Sequence, residues 1–295
     1  MLLQNIFGDK IPAQKIKSIS RDTWILHERS SYIKGKVKKI ITVYDLAHEI
    51  YYKDYNQQKD FRPKKTALSN IDYIICPSNK TKSDLIDFYN IPEEKIKVIY
   101  MGIHKFNEKP ISNIIKINEP YILYVGDRKR YKNFETLLKA FSLSSKIQKD
   151  FKLICFGGGK FTDIEKKIIL ELKIVDKNII QMDGEDDQLS YLYKNAKAFI
   201  FPSKYEGLGL PHLEAMSLGC PVISSNHEAI LEAVGNAAEL FNPNNPEELC
   251  LKMEAILYSS EKIKDLISKG FNRSKDFSWE KCANETLNIY KKIVN

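Results

Sequence analysis

Short apolar runs alternate with amphipathic segments along most of the chain. The apolar runs predict strands at Lys39–Val43, Asp72–Cys76, Lys97–Tyr100, Tyr121–Val125, Phe151–Phe156, Asn178–Met182, Ala198–Phe201 and Pro221–Ser224. Between them lie helical segments such as Phe134–Leu143, whose apolar residues recur at i, i+3, i+4 and i+7. Short strands that are apolar on both faces and alternate with helices indicate parallel, doubly wound α/β sheets.

The length of 295 residues is typical of two domains rather than one. The polar segment Glu108–Glu119 contains Pro110 and leads through Pro120 directly into a new strand, which marks a domain boundary. We therefore predict a first domain over residues 1–113 and a second over residues 114–277. The remaining residues, 278–295, contain an amphipathic helix, Trp279–Val294, that could pack on either domain.

Composition narrows the class of protein. With 43% hydrophobic and 28% charged residues, the chain can bury a core and is not disordered as a whole. No apolar stretch is long enough for a membrane span or a signal peptide. The cysteines are odd in number and form no C-x-x-C, which argues against a disulfide framework or a zinc finger: Cys76, Cys155, Cys220, Cys250 and Cys282. We expect a cytoplasmic protein.

The net charge of +8 is concentrated in the first third of the chain. Residues 1–110 contain 20 Lys and Arg against 13 Asp and Glu, whereas the remainder contains 26 against 25. A basic region favours an anionic partner, and peripheral contact with the inner face of an anionic membrane is one expectation. Compositional drift in a Lys-rich chain is the competing explanation. No nucleic-acid-reading module is present, so nucleic acid is not an expected partner.

The first motif follows the predicted strand Ala198–Phe201 and reads P-S-K-Y-E-G-L-G-L-P-H-L-E-A-M-S-L-G. Pro202 ends the strand, and Gly207 and Gly209 allow a tight turn and a close approach of a ligand to the backbone. A helix is predicted at about Pro211–Leu218, with its N-terminus at the carboxyl end of a parallel strand. Ligands bind at this end of open α/β sheets, and free helix amides favour phosphate.

Two carboxylates lie in this motif. Glu206 precedes the turn, and Glu214 lies eight residues later in the helix. Carboxylates are good acceptors for the vicinal hydroxyls of a sugar. Glu214 could alternatively complement the helix dipole, with the glycines serving only the turn. The combination of glycines, carboxylates and a strand–turn–helix context favours a ligand site.

The second motif follows the predicted strand Tyr121–Val125 and reads G-D-R-K-R-Y-K-N. Gly126 closes the strand, and Asn133 is a candidate N-cap for the following helix. The cations could bind a diphosphate, and charge alone does not distinguish among Arg128, Lys129, Arg130 and Lys132. Because both motifs follow strands of one predicted sheet, we expect them to converge on one pocket.

These motifs resemble those of the retaining glycosyltransferases of family 4, which have the GT-B fold. The resemblance rests on V-G-x-R-x-x-x-K-N at Val125–Asn133 and on P-S-x-Y-E-G-x-G-L-P-x-L-E-A-M at Pro202–Met216, which contains the E-x7-E pair. It continues through Val234–Pro243 and Phe277–Lys281, and covers nearly all of Tyr121–Asn295.

The resemblance implies two Rossmann-like domains facing a cleft. The second domain would bind a nucleotide sugar, the first would bind the acceptor, and the final helix would cross back to the first domain. The reaction would move a sugar from a nucleotide-diphosphate donor to a saccharide or lipid-linked acceptor, with retention, in the synthesis of cell-surface polysaccharide or glycoconjugates.

The resemblance also implies roles for individual residues. Arg128 and Lys132 would bind the leaving diphosphate and carry catalysis together with Glu206, and Glu214 would bind the ribose. Met182–Glu185 would lie beside the base. The donor-binding set as a whole is Gly126, Gly184, Glu185, Gly207, Leu208, Gly209, Leu210 and Glu214. The chain has no D-x-D or H-x-x-x-H, so we expect no metal and no cofactor apart from the UDP- or GDP-linked substrate.

Two departures from the family pattern motivate an alternative. Met1–Lys38 contains no strand–Gly-Gly–helix unit, so the first domain is expected to be incomplete at its front, and Tyr44–Asp45 stands where the family often has His-Asp. The chain could therefore be a donor-binding but catalytically weak remnant or a partner subunit. A dehydrogenase based on Gly157–Gly159 is disfavoured, because its G-x-G-x-x-G is not completed.

Overall fold

The structure is a computed structural model that describes residues 38–51, 62–69, 71–106 and 114–294. The chain divides into two compact units, one formed by Met1–Gly102 with Phe277–Asn295 and the other by Ile103–Asp276. The predicted domain boundary at 113/114 and about half of the basic first third lie outside the described residues. So does nearly all of the segment predicted to leave the first domain incomplete.

The described elements alternate between strands and helices. The strands are β1 (Ile40–Thr42), β2 (Tyr73–Cys76), β3 (Ile96–Val98), β4 (Tyr121–Val125), β5 (Lys152–Phe156), β6 (Ile179–Met182), β7 (Ala198–Phe201), β8 (Val222–Ser225) and β9 (Glu239–Phe241). The α-helices are α1 (Ala47–Ile50), α2 (Arg62–Ser69), α3 (Asn79–Tyr89), α4 (Phe134–Leu143), α5 (Ser145–Asp150), α6 (Asp163–Glu171), α7 (Asp186–Asn195), α8 (Leu210–Ser217), α9 (Glu228–Val234), α10 (Pro246–Leu257), α11 (Ser260–Ser274) and α12 (Trp279–Val294).

The first unit contains a parallel sheet in the order β1-β2-β3, in which Ile41 pairs with Ile74. The final helix α12 belongs to this unit, and its Cys282 and Ile289 pack in one apolar cluster with residues of the sheet region, Ile40, Ile75 and Ile99. The backbone approaches closely where α12 begins, because a Cβ on Gly102 would lie 2.2 Å from the Trp279 nitrogen. Glycine at position 102 therefore permits this packing.

The second unit contains six parallel strands in the order β6-β5-β4-β7-β8-β9. Its central strands are buried on both faces, because the successive residues Ile122 and Leu123 of β4, which point to opposite faces, both have no exposed surface. The chain adds β5 and β6 on one side of β4, then returns to add β7, β8 and β9 on the other side. The carboxyl ends of β4 and β7 therefore form the topological switch point, where ligands bind in open α/β sheets.

The predicted parallel α/β architecture is confirmed. The strands β4 and β7 and the helices α4 and α12 have the predicted bounds, and the other predicted strands differ by one or two residues at one or both ends. The edge strand β9 was not predicted. Its three residues, E-L-F, include a half-buried glutamate and do not form an apolar run.

Two further observations concern the expected class of protein. All five cysteines lie among the described residues, are buried and form no disulfide. In the part of the chain that the structure describes, no helix combines the length and the apolar character needed to cross a bilayer.

Candidate active site

The loops that follow β4 and β7 are joined by hydrogen bonds at the switch point. The Lys204 N–H donates to the Tyr131 carbonyl at 2.7 Å, and Asn133 Nδ2 donates to the Pro202 carbonyl at 2.9 Å. Asn133 directly precedes α4, as predicted, but its side chain makes no capping bond and its φ is +58°. Asn133 is therefore the N-cap residue, as predicted, but its side-chain amide ties the two loops together instead of capping the helix.

Lys132 and Glu206 meet between these two loops. Lys132 Nζ donates to Glu206 Oε1 at 2.7 Å, and the two side chains are 21% and 12% exposed. The ammonium also lies 5.1 Å from the Tyr131 ring centroid and 5.5 Å from that of Phe201, so aromatic faces help to hold the cation. The structure thus brings together a cation from the second motif, Lys132, and a carboxylate from the first motif, Glu206.

Arg128 has a different environment. Its guanidinium is 2% exposed and pairs with Glu165, with Nε 2.7 Å from Oε1. Nη1 donates to the Gly157 carbonyl at 2.8 Å, and Nη2 donates to the Gly159 carbonyl at 2.8 Å and the Lys160 carbonyl at 3.2 Å. Burial would raise the pKa of Glu165, but the bonds from Arg128 and Thr162 outweigh it and lower that pKa. The structure therefore does not bring the Arg128 side chain onto Glu206.

The turn at Gly157–Gly159 serves this arginine. All three glycines have positive φ, between +71° and +83°, and the turn directs successive carbonyls toward the guanidinium. A Cβ on Gly158 would lie 2.8 Å from Arg128 Nη1 and 2.9 Å from the Gly126 carbonyl oxygen. Because oxygens rather than amides face inward around a cation, these observations do not fit a dinucleotide phosphate cradle.

The first motif, after β7, forms a tight turn that is held on its buried side by polar groups. Gly209 has a φ of +92°, and Leu208 is buried. Ser203 Oγ donates to the Tyr205 carbonyl at 2.8 Å, and His212 Nδ1 lies 3.0 Å from the Gly209 carbonyl oxygen. The turn is therefore fixed by neutral partners, beside the Lys132–Glu206 pair.

The histidine in this motif was not singled out from the sequence. His212 has no exposed surface, and its Nε2 lies 2.6 Å from Ser224 Oγ on β8. Burial lowers the pKa of His212 to about 4, opposed by its bond to Gly209 and reinforced by the charge of Lys132. The sequence feature that could have identified His212 is a polar residue on the core-facing side of α8, next to the apolar Leu213.

The predicted ribose and base residues lie around the first turn of α7. Burial raises the pKa of the half-buried Glu214; His104 opposes this shift and Asp186 adds to it, so all three groups share one neighbourhood. Glu185 is the exposed N-cap residue of α7, and Gly184 directly precedes it. A Cβ on Gly184 would lie 3.0 Å from Gln188 Cβ.

A bound metal ion would need several ligating side chains close together, which can be checked for residues 38–51, 62–69, 71–106 and 114–294. These residues contain no cluster of three or more His, Cys, Asp or Glu side chains arranged to hold one. The cation that the structure presents beside Glu206 is the Lys132 ammonium.

Comparison with known proteins identifies the family. The family model described as "Glycosyl transferases group 1" matches residues 105–273, more than half of the chain, and the model described as "Glycosyltransferase Family 4" matches residues 22–105. The O-antigen chain mannosyltransferase B of Escherichia coli is 27% identical over 285 residues, which cover 91% of this chain and 74% of that protein. An O-antigen chain mannosyltransferase of Salmonella typhimurium is 28% identical, covering 78% of this chain and 62% of that protein.

Solved structures show the same fold. Sucrose-phosphate synthase from Thermosynechococcus elongatus superposes with a TM-score of 0.72 at 22% identity, covering 88% of this chain and 69% of that one. The dehydrogenase hypothesis is therefore wrong, and the GT-B fold implied by the sequence motifs is confirmed. The chain belongs to the glycosyl transferases group 1 family and is a glycosyltransferase.

Proposed function

We propose that this protein transfers a hexose, with mannose as the first choice, from a nucleotide-diphosphate sugar to a saccharide or lipid-linked acceptor. The product would be a cell-surface polysaccharide or glycoconjugate. The mannosyltransferase names of two relatives support the choice of sugar and the class of product. Retention of configuration is proposed from the family resemblance. The donor base is proposed to be uracil or guanine.

The observation that carries this proposal is the contact between Lys132 and Glu206 at the switch point, 2.7 Å from Nζ to Oε1. Glycosyl transfer leaves a diphosphate whose negative charge grows as the bond to the sugar stretches. A positioned ammonium stabilises that charge without having to reorganise. When the diphosphate binds Lys132, the Glu206 carboxylate is released to accept hydrogen bonds from the sugar hydroxyls.

The remaining donor contacts are proposed around this pair. Gly126 would lie beside the diphosphate, together with the turn Gly207–Gly209 and Leu210. Glu214 would accept from the ribose hydroxyls, while Gly184 and Glu185 would lie beside the base. No metal and no resident cofactor is proposed, because the leaving charge is assigned to Lys132 and backbone amides.

Arg128 receives a different role from the one that the family resemblance implied. Its bonds to Glu165 and to the carbonyls of Gly157 and Gly159 occupy most of its donors. We assign it to supporting the turn next to Gly126, so that it acts on the donor through the backbone. Lys132 is the cation assigned to the diphosphate.

The test measures binding of UDP, GDP and ADP, and of their mannose and glucose derivatives, to the wild-type protein and to Lys132→Ala and Glu206→Gln. One nucleotide should raise the melting temperature of the wild type. Lys132→Ala should weaken its binding at least about tenfold, which corresponds to about 1.4 kcal/mol. Glu206→Gln should weaken binding of the nucleotide sugar more than binding of the free nucleotide, because the contact with the sugar is lost.

Lys129→Ala is the matched control, since Lys129 is an exposed lysine in the same loop. It should bind nucleotide like the wild type. Unchanged affinity in both Lys132→Ala and Glu206→Gln would remove the proposed donor site. Donor binding without transfer to any saccharide acceptor would instead support a catalytically weak remnant or partner subunit.

A further inference from the structure

The first turn of α8 presents few backbone donors to a ligand. Pro211 has no N–H, and the His212 N–H donates back to the Gly209 carbonyl at 3.1 Å. The Leu210 N–H belongs to the same peptide group as the Gly209 carbonyl. In a trans peptide the C=O and N–H point in opposite directions, so whatever fixes the Gly209 oxygen also fixes the direction of the Leu210 N–H.

The His212 ring is the side chain that fixes this oxygen. Nδ1 lies 3.0 Å from the Gly209 oxygen, on the buried side of the turn. The fit leaves no room for a larger residue, because a Cβ on Gly209 would lie 2.7 Å from Nδ1. With its carbonyl held toward the core, this peptide directs the Leu210 N–H away from the core.

The Gly209 carbonyl also determines which ring nitrogen carries the proton. A carbonyl oxygen can only accept, so Nδ1 must carry the hydrogen that binds Gly209. In the neutral ring Nε2 is then an acceptor, and it lies 2.6 Å from Ser224 Oγ, whose single hydroxyl hydrogen also has the Phe201 carbonyl oxygen as an acceptor at 3.1 Å. The rings of Phe199 and Phe201 pack edge-on against the imidazole, with centroids 5.9 Å and 4.6 Å away, and restrict its rotation.

We propose that His212 is a positioning residue of this glycosyltransferase: by holding the Gly209 carbonyl, its Nδ1–H aims the Leu210 N–H at the donor phosphate. The inference rests on the proposed function, since it assumes that the diphosphate lies at this turn. It goes beyond the family motif, in which the position between Pro211 and Leu213 is not specified. His212 acts through the backbone and does not itself touch the donor.

Two amide variants separate the two hydrogen bonds of the ring. In His212→Asn the side-chain nitrogen takes the place of Nδ1 and can still donate to the Gly209 carbonyl. In His212→Gln it takes the place of Nε2, so only the contact with Ser224 can be kept. We expect His212→Gln to weaken binding of UDP or GDP at least about tenfold and to raise the KM for the donor. His212→Asn should stay within about threefold of the wild type.

Melting temperatures of both variants show whether a purely structural role suffices. If nucleotide affinity followed stability in both variants, or if His212→Gln bound nucleotide like the wild type, the inference would be overturned. A nitrogen NMR spectrum of the wild-type imidazole gives a second measurement if His212→Gln fails to fold. It should show a neutral ring protonated at Nδ1 at pH 7, and a ring protonated at Nε2 alone would contradict the proposal.

Nucleotide binding by Lys132→Ala, measured in the same experiment, distinguishes the hypothesis of the donor site from the hypothesis about His212. If Lys132→Ala weakens nucleotide binding and His212→Gln does not, the donor site stands and only the role of His212 is wrong. If neither variant weakens binding, the donor site itself is wrong.

Discussion

Two glycine turns lie on either side of β4 in the same sheet, and they solve the same backbone problem differently. Gly157–Gly159, after β5, turns its carbonyls onto the buried guanidinium of Arg128. Gly207–Gly209, after β7, has its Gly209 carbonyl held by the imidazole of His212. Beside this second turn, Lys132 is partly exposed and pairs with the carboxylate of Glu206.

The comparison shows that glycine content alone does not identify a phosphate site. Where a buried cation closes a turn, its N–H donors bind the carbonyls of that turn, so fewer donors can bind an anionic ligand. A turn closed by neutral donors commits no cation to its carbonyls and leaves a neighbouring cation available to an anion. In this protein the first arrangement supports the fold and the second is suited to a diphosphate.

The strongest test of this contrast is Arg128→Ala. It leaves Glu165 without its guanidinium and several carbonyls without a donor, so the free energy of unfolding should fall by about 3–5 kcal/mol. Urea unfolding measures the change. Lys132→Ala should lower the free energy of unfolding by no more than about 1 kcal/mol, because its pair is partly exposed. Similar losses of stability in the two variants would contradict the division of roles.

The pH dependence of stability tests the neutral partner. Burial lowers the pKa of His212 to about 4 in the folded state, against about 6.5 when unfolded. The unfolded chain therefore binds more protons between these values, and the stability that His212 contributes is lost as the pH falls from about 6.5 to about 4. Lys132 is the other charge that acts on this ring. As the pH falls through this range, the wild type should lose stability relative to His212→Gln, measured as the difference in their free energies of unfolding. A difference that does not change with pH would contradict a neutral, buried His212.

The smallest expected effect is the difference in the free energy of unfolding between two alanine substitutions in the turn Gly157–Gly159. Gly158→Ala should cost about 1–3 kcal/mol, because a left-handed residue is strained and its Cβ would press on Arg128 and on the Gly126 carbonyl. The Cβ of Gly159→Ala would enter open space, so the free energy of unfolding should fall only by the backbone strain of a left-handed alanine, about 1–2 kcal/mol. Thermal unfolding would rank the two. Equal costs would mean that contact with the arginine does not limit position 158.

The sequence predicted the elements that have strong apolar patterns. Strands β4 and β7 are continuous apolar runs, and α4 has a full helical period, so their bounds were correct. The edge strand Glu239–Phe241 was missed because a three-residue edge strand with a polar first residue has no such pattern. The switch point also followed from the pattern, since both motifs come after strands of one parallel sheet.

The site was predicted in part. The sequence and the family motif placed Lys132 and Glu206 together, as observed, because both lie at fixed distances from strand ends. They did not distinguish Arg128 from Lys132, since burial and the carbonyls of a distant glycine turn decide how an arginine is used. His212 was missed for a similar reason: its partners, Gly209 and Ser224, come together only when α8 packs against β8.

The packing of α12 has a consequence for the order in which the protein is assembled. During synthesis the strands β1, β2 and β3 leave the ribosome early, but the helix that packs with Ile40, Ile75 and Ile99 is made more than 170 residues later. The other sheet needs no segment from beyond Asp276 to complete its own unit. The unit translated first is therefore completed last. A premature stop before Trp279 would release a chain with an uncovered apolar surface, and such a chain would bind chaperones or aggregate.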